Sequence, residues 1–480
     1  MQMNLTNALG GEEIAKRKSD FKKIFFYRMC GTGMGAAACL LKEAGFDVEG
    51  ADQAYFPPMS DYLKTTEIAC HKLEDVDADF LKKYDLIVVG NSVPGKSENA
   101  RMIESCGVPF TSFPTILGSL VLKDRQVVGL AGTHGKTTTT YFLTQLLEKL
   151  GEDCGYFIGG IVNGRAPAKI GKSKYFTIES DEYDSSYFQK FSKFRQYELN
   201  HMILTSLEFD HADIFSSIED IENEFQACFD NLPGHVVAND AYPSIHKLRE
   251  KNPSLKWSMY GDESDYGPKA ATTHKDGSEF CLVWNNEEVL FKTNIVGHHN
   301  ILNISACALF LLKEGFDTQK VVEAVQELGL VKRRQEVRGN YKGAVVIDDF
   351  AHHPRAIALT VDAIQAAYPD KEVITVFEPV SATARSSIFQ KEFATSLLKS
   401  NRVILAANPL ATTVKNSHNL DCDLLTSELL DKGIQACCAK SLDELRERID
   451  QWVSGDKVLL VLSNRTCLGL WESSFVSEIV

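Results

Sequence analysis

The sequence predicts an α/β protein of three domains. Short apolar runs that read as strands alternate with helical patterns along most of the chain, the signature of layered parallel sheets. At 480 residues the chain exceeds what one hydrophobic core organises. Two strand-to-helix junctions are glycine-rich turns, at Gly31 and at Gly132. The simplest partition breaks near residues 123 and 333, leaving a polar extension at 1–22 and domains at 23–122, 123–332 and 333–480.

The first twenty residues, MQMNLTNALGGEEIAKRKSD, are polar and are expected to be loosely ordered. IFFYRMC then gives a strand, a glycine turn leads into a helix ending near Ala44, and FDVEGAD and DLIVVG supply further parallel strands. A second unit opens with RQVVGLAG, continues through a helix from Thr137 to Leu150, and offers YFTIES and HMILTSL as strands with polar ends. The short polar turns and alternating runs between Ser254 and Val296 suggest a small antiparallel addition to the middle domain. After the basic passage LVKRRQEVRG, the strands AVVIDD, EVITVFEP, RVILAA and KVLLVLS alternate with helical segments.

Composition narrows the function classes. A formal charge of -14 disfavours a nucleic-acid partner, because a backbone-phosphate binder needs a basic surface. No run reaches the roughly 18 apolar residues of a spanning helix, so no stable membrane anchoring is expected. The 12 cysteines form no ligand-spaced cluster, which suits a reducing, cytoplasmic compartment.

The first turn, Gly31-Thr32-Gly33-Met34-Gly35-Ala36, fits a relaxed dinucleotide fingerprint, with Asp52 about twenty residues on and placed to meet a ribose. Small residues there let a diphosphate approach backbone N–H groups, and NAD and a UDP-sugar fit equally well; a bare tight turn is the alternative. The second turn, Gly132-Thr133-His134-Gly135-Lys136-Thr137, is more specific. The strict phosphate-loop pattern would put a glycine at position 130, where Leu130 stands, but the distal half is whole and flanked by a strand and a helix. Gly135 can admit phosphate, Lys136 places a cation at the β and γ oxygens, and the hydroxyls of Thr137 and Thr138 are suited to magnesium or phosphate.

Hard oxygen ligands are expected at neighbouring strand ends. Glu179, Asp181, Glu182 and Asp184 follow one apolar strand; Glu208, Asp210, His211 and Asp213 follow the next. Glu179 and His211 are the metal candidates; the alternative for each acidic cluster is a solvated loop or helix cap, which suits Asp184 and Asp213 better than Glu179 and His211. In GHHNILN, Asn300 and Asn303 share a helix face, where one amide can read an adenine edge and His299 can pack on the base; an N-cap with a buried helix is the alternative. Asp348, Asp349, His352 and His353 load the end of AVVIDD, where α/β folds place chemistry, and Arg333 and Arg334 precede it.

Taken in order, GTHGKTTT, ESDEYD, EFDHAD, GHHN, KRR and DDFAHHP resemble the ATP-dependent Mur ligases of bacterial peptidoglycan synthesis, from about Lys23 to near the C-terminus. The resemblance implies a Rossmann-like N-terminal domain for a UDP-muramoyl substrate, a central P-loop ATPase domain and a Rossmann-like C-terminal domain for the incoming amino acid or peptide. It implies ATP and Mg2+ as cofactors and UDP-N-acetylmuramate as partner; a monomer or weak homodimer is expected. Gly31, Thr32, Gly33, Met34, Gly35, Asp52 and Glu182 fall on the substrate side. Gly132 to Thr138 with His299, Asn300, Asn303, Arg334 and Asp349 fall on the nucleotide. Thr137, Glu179 and His211 fall on the metal, and Lys136, Glu179, His211, His352 and Arg385 on the chemistry.

Within the family, GADQAYFPPMS, ESDEYDSSYFQKFSKF and SLEFDHADIF are most like the recycling branch, which joins the murein tripeptide L-alanyl-γ-D-glutamyl-meso-diaminopimelate to UDP-N-acetylmuramate through an acyl phosphate. Addition of L-alanine, or a nucleotide-gated binding protein derived from a ligase, are the alternatives. Several positions depart from the pattern. Phe225 stands fourteen residues beyond His211, where many members carry a carbamylated lysine, in agreement with the alanine- and tripeptide-adding branches. The usual EPRSNT reads Glu378-Pro379-Val380-Ser381-Ala382-Thr383 while keeping Arg385, an SNGGFGG-like loop reads Ser463-Asn464-Arg465-Thr466-Cys467-Leu468-Gly469, and GNSVPGKSEN lacks an expected arginine and NP pair.

Overall fold

The computed structural model describes residues 3–57, 59–159, 165–210, 214–381, 384–408 and 418–480. Two compact units emerge: Met1–Glu208 with Ile218–Met259, and Phe209–Ser217 with Tyr260–Val480. No helix among the described residues is long and apolar enough to cross a membrane.

The first unit contains a five-stranded sheet in the order Ala69–Lys72, Asp47–Asp52, Lys23–Tyr27, Leu86–Val89, Phe110–Ser112, with every neighbour parallel. The helix Thr32–Glu43 follows the first strand through the glycine turn. The N-terminal extension departs from expectation: its described part, from residue 3, is docked. Leu9 N–H donates to Phe110 O at 2.8 Å, Phe110 N–H to Asn7 O at 2.9 Å, and Thr111 Oγ1 to Leu9 O at 3.0 Å. A short helix, Gly11–Lys16, buries Ile14 completely. The extension thereby covers an edge strand whose backbone groups would otherwise lie open. Leu9, Ile14 and Phe21 supply the apolar anchors, diluted in the sequence by polar neighbours.

The same unit carries a larger sheet, ordered Lys256–Tyr260, His235–Asn239, His201–Leu204, Gln126–Ala131, Tyr175–Ser180, Gly155–Phe157, Ala168–Lys169. Its central pairs are parallel, so the carboxyl ends of Gln126–Ala131, Tyr175–Ser180 and His201–Leu204 open on one edge. These strands are buried, which explains their unbroken apolar runs.

In the second unit, Lys269–His274, Gly277–Trp284 and Glu287–Thr293 form the expected antiparallel sheet. The expectation for 254–296 needs one correction: Lys256–Tyr260 joins the edge of the seven-stranded sheet, because its alternation of half-buried and buried residues serves an edge strand as well as a hairpin. A six-stranded sheet follows, in the order Glu336–Tyr341, Ala344–Asp349, Lys457–Ser463, Glu372–Glu378, Arg402–Ala406, Gln435–Ala439, parallel apart from its first pair. Alternate residues of these strands enter separate cores on the two faces: Val373, Phe377, Leu460 and Leu462 on one, Ile374, Val376, Leu459 and Val461 on the other.

Candidate nucleotide and ligation site

The second glycine turn joins Gln126–Ala131 to the helix Lys136–Lys149. Gly132 has φ 131°, and a Cβ there would lie 2.5 Å from Thr205 Oγ1 and 2.7 Å from Ser206 O, so glycine is required for both conformation and space. The turn is fastened to the chain beyond the neighbouring strand: His134 N–H donates to Ser206 Oγ at 2.8 Å, Thr133 N–H to Ser206 O at 3.3 Å, and Glu208 N–H to Thr133 Oγ1 at 2.9 Å. His134 and Glu208 also pair at 3.3 Å. Gly135 caps the helix in the left-handed conformation, aiming the helix N-terminus at the turn, where the helix dipole favours an anion.

Lys136 Nζ lies inside this cage. It donates to Gly132 O at 2.7 Å and Glu182 Oε2 at 2.9 Å, with Asp181 at 3.8 Å. Burial alone would lower its pKa, but Glu182, Asp181 and Glu179 more than offset that and raise it, so the lysine is a fixed cation. Thr137 Oγ1 donates to Glu179 Oε1 at 2.8 Å, and Gly159 N–H donates to Glu179 Oε2 at 2.7 Å. Lys193 holds Asp181 at 2.9 Å. Three carboxylates thus face two ammonium groups around hydroxyl and carboxylate oxygens, a donor set suited to a hard divalent cation. Thr138 is buried in the helix, and Thr140 Oγ1 donates back to Lys136 O at 2.8 Å. Glu182, assigned above to the substrate side, is buried against Lys136. His211 lies outside the described residues. Phe225 is fully buried and stacks on Phe194 at 4.9 Å, so the position where other branches carry a modified lysine is aromatic core.

At the first glycine turn, Gly31 and Thr32 are exposed. Gly33 packs near Phe113, a Cβ on Gly35 would collide with the Met59 sulfur, and Met34 is buried against Gly90. Asp52 accepts from Cys30 N–H and Gln53 N–H, each at 2.7 Å, and so braces the turn from the adjacent strand.

In the second unit a residue overlooked in the sequence, Gln335, organises the adenine candidates. Its N–H donates to Asp349 Oδ2 at 2.8 Å, its Oε1 accepts from Asn300 Nδ2 at 3.4 Å, and its Nε2 meets His299 Nε2 at 3.3 Å. This network assigns the His299 proton to Nδ1, which is buried and has no hydrogen-bond partner among the described residues. Burial, His298 and Arg334 lower the His299 pKa to about 4, so the ring is neutral. Asn300 also donates to Val296 O at 2.9 Å, and Asn303 is buried on the same helix. Asp349 accepts a second backbone bond from Ala351 at 2.7 Å, and Arg334 stacks over Phe350 at 5.0 Å. His352 packs edge-on against the same ring, its Nδ1 3.0 Å from Phe350 O. Arg385 lies on a separate loop, tied through its backbone to Ser381 and Leu420. Ser206, Lys193, Gly159 and Gln335 were missed because nothing in their local sequence marks them; their roles come from neighbouring strands and loops.

Three family models match the chain: Mur ligase family, catalytic domain, over 23–125; Mur ligase middle domain over 130–311; and Mur ligase, glutamate ligase domain, over 333–465. The UDP-N-acetylmuramate--L-alanyl-gamma-D-glutamyl-meso-2,6-diaminoheptandioate ligase of Escherichia coli K12 is 34% identical over 389 residues, covering 80% of this chain and 84% of that protein. The UDP-N-acetylmuramate--L-alanine ligase of Streptococcus agalactiae 2603 V/R is 31% identical, covering 80% and 83%. Among solved structures, a murein peptide ligase from Psychrobacter arcticus 273-4 superposes with a TM-score of 0.68 at 27% identity, covering 95% of this chain and 98% of that one. The chain therefore belongs to the Mur ligase family and is an ATP-dependent ligase that forms a carbon–nitrogen bond. Family members use ATP and Mg2+. The Thr137–Glu179 oxygens fit the metal, and the Nδ1–H of His299, without a partner among the described residues, fits a ligand acceptor such as a purine nitrogen.

Proposed function

We propose that this ligase joins the muramoyl carboxylate of UDP-N-acetylmuramate to the α-amine of L-alanyl-γ-D-glutamyl-meso-diaminopimelate, as in peptidoglycan recycling. Similarity to tripeptide ligases across most of the chain, together with the intact cage around Lys136, carries this reading. A carboxylate resists amine attack because its charge and oxide leaving group oppose it; ATP supplies the phosphoryl group that converts it to an acyl phosphate. Lys136 would neutralise phosphoryl oxygens in competition with Glu182, and Thr137 and Glu179, with His211, would hold Mg2+. His299, Asn300 and Asn303 would bind the adenine, with Arg334 and Asp349 completing the nucleotide contacts. Gly31 and Thr32, the exposed part of the first turn, would meet the UDP diphosphate, with Asp52 holding the turn's shape. Arg385 would stabilise phosphoryl charge, and His352 is the candidate acceptor for the amine proton.

Free L-alanine is the second reading, supported by the 31% identical alanine-adding relative and by the altered EPVSAT and SNRTCLG loops. Purified protein given ATP, Mg2+, UDP-N-acetylmuramate and each acceptor separates the two. The proposal expects tripeptide-dependent ADP release and a product mass equal to both substrates less water. Preference for L-alanine by kcat/KM would overturn it.

A further inference from the structure

Glu378 ends the strand Glu372–Glu378 beside Ser463, the last residue of Lys457–Ser463. Its side chain is buried, yet nothing in the activation chemistry needs a carboxylate there. Both of its oxygens are occupied by one turn. Oε2 accepts from Ser463 Oγ at 2.5 Å and from Cys467 N–H at 3.0 Å; Oε1 accepts from Leu468 N–H at 2.8 Å. Cys467 and Leu468 have φ 56° and 51°, a left-handed conformation that side chains disfavour, and in it their consecutive N–H groups converge on the carboxylate. The anion thus offsets the backbone strain, while the turn's donors compensate the cost of burying a charge.

Arg333 clamps the other side of the turn. Its Nη2 donates to Ser463 O at 2.6 Å and Arg465 O at 2.7 Å, while its Nε holds Asp348 at 3.1 Å. Arg465 N–H donates to Ser463 Oγ at 3.0 Å. With both sides fixed, the tip presents an exposed Arg465 between half-buried Asn464 and Thr466. The turn stands at the carboxyl end of a central parallel strand, where open α/β sheets bind ligands.

We propose that Glu378 is a positioning residue for the acceptor: it holds Ser463–Leu468 in the shape that presents Arg465 to a carboxylate of the incoming peptide. This rests on the ligase reading above. The residue touches no reacting atom and acts through the turn. Glu378→Gln keeps the size but offers one acceptor oxygen and sets an NH2 group against the turn's donors. Ser463→Ala removes the hydroxyl that donates to Glu378 and accepts from Arg465 N–H, and leaves the Cys467 and Leu468 bonds to the carboxylate.

The test measures KM for tripeptide, ATP and UDP-N-acetylmuramate in wild type and both variants, with amide hydrogen exchange at Cys467 and Leu468. E378Q should raise the tripeptide KM about tenfold or more, consistent with losing a charge-assisted hydrogen bond, leave the other two KM values within about twofold, and speed exchange at both amides. S463A, which loosens both Glu378 and the Arg465 backbone, should shift the tripeptide KM in the same direction. A ligating wild type whose E378Q and S463A variants keep the tripeptide KM, or raise all three KM values together, overturns this inference alone. A wild type that ligates no acceptor, or that prefers L-alanine to the tripeptide, overturns the functional reading, and this inference with it.

Discussion

Replacing Thr137 with Val removes one hydroxyl at nearly constant volume, at the point where the nucleotide loop meets its acidic partner. Thr137 Oγ1 donates to Glu179 Oε1 at 2.8 Å. Glu179 is half-buried and keeps the Gly159 N–H bond at 2.7 Å, so the loss of stability should lie near the low end for a bond to a charged group, about 1.5 kcal/mol. The effect on metal use should be larger. Loss of a group that holds or orients a bound metal typically costs about 10–100-fold in affinity, or about 1.4–2.7 kcal/mol. The assay is the initial rate of ADP formation against free Mg2+ at saturating ATP. T137V should shift the half-saturating Mg2+ upward by that factor and recover part of its rate at high Mg2+; T137S should track wild type. Thr140→Val, whose lost hydroxyl donates to the Lys136 carbonyl in the first turn of the same helix, should leave the Mg2+ curve in place. A T137V protein with near-native melting and an unchanged Mg2+ curve would refute the assignment of Thr137 and Glu179 to the metal.

Gly132→Ala should lower stability by about 2 kcal/mol or more and abolish ATP turnover, because the added methyl meets Thr205 and Ser206 in a left-handed backbone; thermal melting and ADP release check this. The neutral His299 contributes stability that is fully present above pH 6.5 and is lost as pH falls through about 4, by about 3 kcal/mol in all. Denaturant titrations at several pH values should show His299→Gln removing that slope; an unchanged slope contradicts the assignment. Ile14→Ala, emptying the fully buried anchor of the N-terminal extension, should cost about 2–5 kcal/mol by denaturant melt, whereas a loosely ordered extension would cost nothing.

Much of the fold and the kernel of the nucleotide site were legible because each carries a local mark. Fully buried parallel strands read as apolar runs, and a phosphate loop needs glycine, lysine and threonine at fixed spacing between a strand and a helix. That Glu179 stands beside the loop followed from parallel pairing of FTIES with the loop's strand, whereas the capture of Lys136 by Glu182, read from the sequence as a substrate contact, did not. Features set by distant contacts escaped. The N-terminal extension looks polar on average, yet Leu9 and Ile14 suffice to seat it against the Phe110–Ser112 edge. Gln335 resembles any polar residue of a basic linker, although it links His299, Asn300 and Asp349. In GTGMG, the pattern does not separate glycines that pack, such as Gly35 against Met59, from positions open to a ligand, such as Gly31. Glu378 is an ordinary strand-end acid until the turn from Ser463 folds over it.

The central claim is that this ligase activates a carboxylate with ATP before an amine attacks it. Its most direct test uses UDP-N-acetylmuramate labelled with 18O in the muramoyl carboxylate, followed by mass analysis of the phosphate released during ligation of the tripeptide. The account predicts that carboxylate oxygen appears in the phosphate in step with amide formation, and that Lys136→Ala abolishes both. Amide formed while the phosphate stays free of label would contradict it.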